Sequence, residues 1–244
     1  MPRCAPRRLS RALLALLICS PVALASGCGG ESGGKPAPAA QPSGLQAPGV
    51  YRYETKGFER IGGPLPGRHV YPPTTTVTVE KGGCQVTERW DALPERWAEW
   101  RYCVTGSTWR LRGVTDHHEF FGQAERYSYR CSGRPVPRPA EIDPDFRWTD
   151  RCRAMGTTAV ARGLVVAIEP IEVAGSRQEA VHLRVRASLA GRVRGAYTMD
   201  SWLRRDDGLL LRRTLRSATS VDSIVKNVPD RERYSLRLRS TRPG

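Results

Sequence analysis

Two of the chain's four histidines stand together in Asp116-His117-His118-Glu119. Successive side chains of a β-strand point to opposite faces, so Asp116 and His118 would share one face and His117 and Glu119 the other. Each pair offers two metal ligands or an acid–base couple. The neighbouring sequence completes neither chemistry, because no third ligand follows at a useful spacing. The run leads into Phe120 and Phe121, as a polar strand edge entering a core would. His182 alternates onto the polar face of its segment and reads as a surface residue, and His69, beside a Pro-rich turn, has no assignable role. The chain has no H-E-x-x-H zinc helix and no phosphate-binding loop. A non-catalytic protein is expected, with no cofactor and no bound metal.

The cysteines carry more information. Residues 12–25, Ala-Leu-Leu-Ala-Leu-Leu-Ile-Cys-Ser-Pro-Val-Ala-Leu-Ala, are uncharged and follow Arg3, Arg7, Arg8 and Arg11. As a helix this run would span about 21 Å, short of the roughly 30 Å hydrocarbon core of a bilayer. A basic start, a short apolar stretch and small residues behind it have the form of a secretory signal peptide. The run ends in Ala25-Ser26-Gly27-Cys28, which resembles the lipobox of bacterial lipoproteins. That resemblance implies removal of residues 1–27 and a diacylglyceryl-modified, palmitate-bearing Cys28 as the new first residue. Ala25 stands where leucine is commonest. The protein is thus expected outside the cytoplasm, lipid-anchored to the bacterial cell membrane.

Residues 28–49 then form a Gly-, Pro-, Ala- and Ser-rich tether with no apolar periodicity. A flexible chain of 21 residues reaches roughly 25 Å. The whole chain carries +15. The first 27 residues contribute four arginines and no acid, and removing them leaves +11. The remaining arginines are scattered singly through alternating segments rather than clustered. They read as solvated strand faces and not as a nucleic-acid surface, although a basic surface attracts anionic envelope material.

Residues 50–244 are expected to form one β-rich domain, with a possible subdivision near 155. Fifteen of the 18 aromatic residues fall in 51–148, and the later half is aliphatic. In the later half, Val181, Leu183, Val185, Ala187 and Leu189 alternate with His182, Arg184, Arg186 and Ser188, which describes a strand with one buried face. The fold class is mainly β: antiparallel meander, a curved sheet or two β layers, with little helix, the only helical options being near 91–100 and 219–227. Trp90, Trp97, Trp100 and Trp109 fit cross-strand core pairs better than a sugar- or membrane-binding patch. Facing Trp90 with Trp97 places Cys84 opposite Cys103 and Glu88 opposite Glu99. A similar hairpin joins Cys131 and Cys152 across the Pro-rich segment 133–146, so two disulfides are expected.

Asp200 to Thr214, a Trp-bearing strand returning through Asp206-Asp207-Gly208, is similar to a hairpin of the LolA-like superfamily of bacterial envelope lipid and lipoprotein carriers. That likeness implies a curved antiparallel sheet closed by helices around an apolar cavity, and carries over no ligand residue. The alternating strands make an apolar face that must be covered. Either the aromatic first half packs on it and leaves no cavity, or part stays open and binds an anionic lipid or amphiphile, tails on the sheet and headgroup on arginine. Leu183, Val185 and Leu210 would then contact the ligand. The other course is a basic module on anionic envelope polymer or a partner protein. A monomer is expected. The anchor has a direct check: wild type should partition into the detergent phase and Cys28→Ala into the aqueous phase, and identical partitioning of the two would refute lipidation.

Overall fold

A computed structural model describes residues 44–63, 66–222 and 227–244. The signal segment, Cys28 and most of the tether lie outside these residues. The strands are β1 (Gly49–Ile61), β2 (Gly67–Val70), β3 (Thr74–Gly82), β4 (Gln85–Leu93), β5 (Arg96–Thr105), β6 (Thr108–Phe120), β7 (Gln123–Gly133), β8 (Val136–Pro137), β9 (Arg147–Ala154), β10 (Thr157–Val173), β11 (Ser176–Gly191), β12 (Val193–Arg204), β13 (Leu210–Asp222) and β14 (Asn227–Leu238). There is no helix among the described residues, and 91–100 is a hairpin.

Each strand pairs antiparallel with the next along β1-β3-β4-β5-β6-β7-β9-β10-β11-β12-β13-β14, and β14 returns to β1 from Tyr53↔Leu238 to Ile61↔Asp230. The sheet thereby closes into a 12-strand barrel without a free edge. It runs without a break through residue 155, where Met155-Gly156 is a tight turn between β9 and β10. Closure is the answer to the uncovered apolar face: the sheet curls until that face covers itself, and no helical lid is needed. Along β14, Glu232, Tyr234, Leu236 and Leu238 are buried while Arg231, Arg233 and Arg237 are exposed. The same period of two runs along β1 and β13 and sets inside against outside. The outer wall is charged and the inner wall largely apolar, the reverse of a membrane-spanning barrel, whose outer band is apolar.

The two halves fill the interior unequally. From the first half, Tyr51, Tyr53, Tyr71, Val77 and Trp90 pack solidly against Tyr234 and Leu236 of β14. Trp90 and Tyr234 lie 4.3 Å apart between ring centres, and the Trp90 indole N–H donates to Thr75 Oγ1 at 2.9 Å. The second half presents small inward residues instead, among them Ala159, Ala161, Gly163, Ala187 and Ser201. At Gly163 a Cβ would sit 2.1 Å from the indole of Trp148, so only glycine admits that ring. Both halves of the sequence thus supply the covering, and space remains where the small residues face inward.

One end of the barrel is shut. Gln46 is buried there: its backbone N–H donates to Asp207 O at 2.8 Å and its amide donates to Glu88 Oε1, also at 2.8 Å. The ordered domain therefore begins before Val50 and takes in the last part of the expected tether. The segment between β7 and β9 brings buried Ile142 to the same end. A Cβ on Gly208, in the β12–β13 turn, would lie 3.6 Å from Trp109 and 3.7 Å from Pro139, so elements from opposite sides of the barrel meet across its base.

Cys84 is disulfide-bonded to Cys103 and Cys131 to Cys152. The second pair stands in direct register, but the first does not. Gln85 faces Cys103, Glu88 faces Trp100 and Trp90 faces Ala98, one residue away from the expected Trp90–Trp97 register. A bulge between Asp91 and Leu93 absorbs the extra residue. The slip keeps Trp90 inside, sends Trp97 outside beneath Arg89, and separates Glu88 from Glu99. Cys84 then reaches Cys103 from the turn, where the Val104 N–H donates to Cys84 O.

Candidate functional site

The space left in the second half is a cavity of about 600 Å³, within the range of small-molecule sites. Its wall is mainly apolar, with Trp100, Leu111, Val114, Leu183, Val185, Met199 and Leu215 around the middle. Of the residues singled out in the sequence, Leu183 and Val185 line it and Leu210 does not. Leu210 follows the β12–β13 turn, beside the bulge at Trp202/Leu203, and is buried near the shut end, where its carbonyl accepts from Tyr53 Oη at 2.6 Å. At the other end the lining includes Ile61, Phe120, Phe121 and Val228, and Phe121 is 60% exposed, so the cavity opens there. Met155, in the β9–β10 turn at that same end, is 61% exposed. Phe121 and Met155 both precede a glycine and adopt positive φ, a conformation two-residue hairpin turns require and bulky residues seldom take.

The arginines of the alternating strands are not in this wall. Arg186, Arg212 and Arg216 are exposed on the outside. Two arginines face inward, Arg96 and Arg213, and each meets a carboxylate. Arg213 lies over the Trp100 ring at 4.2 Å, reaches Glu88 at 3.5 Å and donates through Nε to Ser201 Oγ at 3.3 Å. Among the described residues the two inward arginines thus each face a carboxylate, with Arg213 Nη1 left without a hydrogen-bond partner, while the Arg-rich strand faces lie outside the lumen. His182 does lie on the outer face, yet it is buried: Trp202 stacks on it at 4.2 Å and Asp200 bonds its Nε2 at 2.7 Å.

Asp116 and His118 share the inner face, and His117 turns outward to stack on Trp97 at 5.0 Å. The groups missing from the local sequence arrive from distant strands. Glu59 of β1 contacts His118 Nδ1 through Oε1, and its Oε2 lies 3.1 Å from His69 Nδ1. His118 Nε2 lies 3.1 Å from Asp116 Oδ2. Arg96 of β5 donates to Asp116 at 2.7 Å and to Glu232 at 2.9 Å, and lies 3.7 Å from Glu59. Tyr71 donates to Glu232, and Asp230 stands beside the group with Thr219 donating to its Oδ2 at 3.4 Å. Glu59, Arg96 and Glu232 were missed in the sequence. Their signal is phase: each falls at an inward position of its strand, as Glu59 does after Tyr51, Tyr53 and Thr55.

Burial and charge divide these groups. Burial would pull His118 down, but the charge of Asp116 and its bonds to Asp116 and Glu59 lift it to about 10. Burial would raise Asp116, and the charges of Arg96 and His118 outweigh it and hold the carboxyl well below its usual range. Glu59 is likewise lowered, its burial overcome by His118 and Arg96. Asp230 has no such partner, and burial pushes it up to about 7, with Glu59 and Glu232 adding to the effect against His118. No protein-family model, curated protein or solved structure matches this chain.

These shifts fix a pH profile. Asp230 titrates higher folded than unfolded, so folding takes up a proton between about pH 4 and 7 and stability falls across that window. His118 is also raised, so its contribution is complete below about pH 6.5 and lost as the pH approaches 10. Glu59 and Asp116 act oppositely, and their contribution is lost below about pH 4. With a chelator present, urea unfolding should give greatest stability near pH 5 and a decline towards pH 9. Asp230→Asn should remove its own share of the decline below pH 7, on the order of 2–4 kcal/mol, leaving that of Asp150, which burial pushes up to about 6. A profile unchanged by Asp230→Asn would show that this carboxyl is not protonated by burial.

Proposed function

We propose that the protein is a non-catalytic, lipid-anchored envelope protein that holds an apolar or amphiphilic, lipid-like molecule in its barrel. The observation that carries this reading is the cavity: about 600 Å³, mainly apolar and open at one end. Closed barrels of eight strands fill their interior with side chains or hold one small ligand, and larger ones enclose more space. Twelve strands, with small inward residues on β10, β11 and β12, leave room for an acyl or polycyclic body. Burying such a body contributes about 0.8 kcal/mol per CH₂. Phe121 and Met155 support the same reading, since apolar tips at the mouth suit passage of an apolar molecule from a membrane. Arg96 and Arg213 each face a carboxylate, which favours an uncharged ligand or one whose headgroup stays at the mouth. The signal segment and lipobox-like Cys28 support placement at the outer face of the cell membrane, and the two disulfides accord with an oxidising compartment.

Filling the cavity tests the reading. Ala161→Trp and Ser201→Leu project extra volume into the lumen from β10 and β12. Binding of an uncharged fluorescent lipid probe should fall at least ten-fold in the double variant, while circular dichroism and the thermal transition stay those of a folded barrel. Undiminished probe binding in that folded variant would place the apolar site elsewhere and overturn the proposal.

A further inference from the structure

We propose that Glu59, His118 and Asp230 form a binding site for one divalent transition-metal ion, with zinc the best match, in the wall of the barrel near its mouth. One donor atom from each residue lies within 4.8 Å of the other two. In a tetrahedral zinc site, with bonds of about 2.0–2.2 Å, donors stand about 3.4 Å apart. An ion here would part the Glu59–His118 contact and draw Asp230 in, by movement of side chains that β1, β6 and β14 bring to one region of the lumen. One imidazole and two carboxylates are a ligand set that zinc accepts, with a fourth position left to water.

Two further observations point to a cation there. Asp230 Oδ1 is buried with no hydrogen-bond partner, while Thr219 holds the other oxygen. A buried carboxylate oxygen without a donor is costly, and a metal ion satisfies it. The second is the support behind His118. Its Nε2 is set against Asp116, which Arg96 holds in turn at 2.7 Å, so Nδ1 is left facing Glu59. A carboxylate on the far nitrogen of an imidazole is the arrangement that orients a histidine to ligate a metal through the near one. His69, stacked on Phe120 at 4.1 Å, steadies the second oxygen of Glu59.

Charge permits the exchange. Glu59, Asp116, Asp230 and Glu232 surround Arg96 and His118. An ion that replaces the protons of His118 and Asp230 leaves Arg96, the ion and the four carboxylates within a single unit of neutrality. Metal entry displaces the proton on His118 Nδ1 and any proton on Asp230 to solvent, so affinity rises with pH. The site is independent of whether the lumen holds a lipid.

The test uses untagged full-length protein, stripped with a chelator, loaded with zinc or cobalt and desalted. One zinc per chain should be retained by elemental analysis, and cobalt should give the visible bands of a four- or five-coordinate ion. Asp230→Asn, which breaks no hydrogen bond to Oδ1, and His118→Gln should each abolish retention. Asp116→Asn should weaken it about 10–100-fold by loosening His118. His117→Gln, on the outer face, should leave it unchanged. Folding of every variant is checked by circular dichroism. Failure of the wild type to retain stoichiometric metal would overturn the site, as would equal retention by folded Asp230→Asn and His118→Gln.

Discussion

The barrel depends on a seam that is unfavourable until one side chain enters it. Where β14 returns to β1, Glu59 and Glu232 are direct cross-strand partners, both pointing into the lumen and both almost completely buried. Like charges facing each other across a pair of strands oppose closure. Arg96 answers the conflict from β5, three strands from β1 around the barrel, with His118 of β6 beside Glu59. It is buried, lies over the face of Trp90, and bonds Glu232 while approaching Glu59. Removing one member of such a buried group leaves an uncompensated charge and typically costs 3–5 kcal/mol. The same contact that closes the sheet therefore ties β1, β5, β6 and β14 into one end of the interior.

Inside that frame, the division of labour between the halves follows from side-chain size. Tyr51 and Tyr53 of β1, Tyr71 ahead of β3 and Trp90 of β4 fill their share of the lumen, with Trp90 wholly buried. Alanine, glycine and serine on β10 to β12 cannot fill theirs, and Leu183, Val185 and Leu215 line what is left. The charged groups of the middle and mouth gather at Glu88–Arg213 and around Arg96, with Asp150 and the hydroxyls of Tyr102, Tyr129 and Tyr197 set singly in an otherwise apolar wall.

Much of this was legible in the sequence because period-two alternation is unambiguous in β11, β13 and β14, where arginine and aliphatic residues take turns. The antiparallel β class and the turns at Ala174-Gly175 and Gly208 follow from it. Barrel closure was not legible, since nothing local in β1 or β14 states that they pair. Nor was the register of β4 against β5, because two tryptophans offered a pairing that a single bulge displaced. His118 drew notice for its neighbours in sequence, whereas its partners Glu59 and Asp230 are joined to it by closure alone. The readable trace of those partners is a carboxylate in phase with core residues, as Glu88 is between Val86 and Trp90.

The central claim is that the lumen is a container. Native mass spectrometry of the protein, purified from its own cells under gentle conditions, addresses it most directly. The account predicts a bound species of lipid-like mass that dissociates on mild activation and leaves the disulfide-bonded chain. A spectrum of the bare chain alone, with no uptake of added lipid, would contradict it.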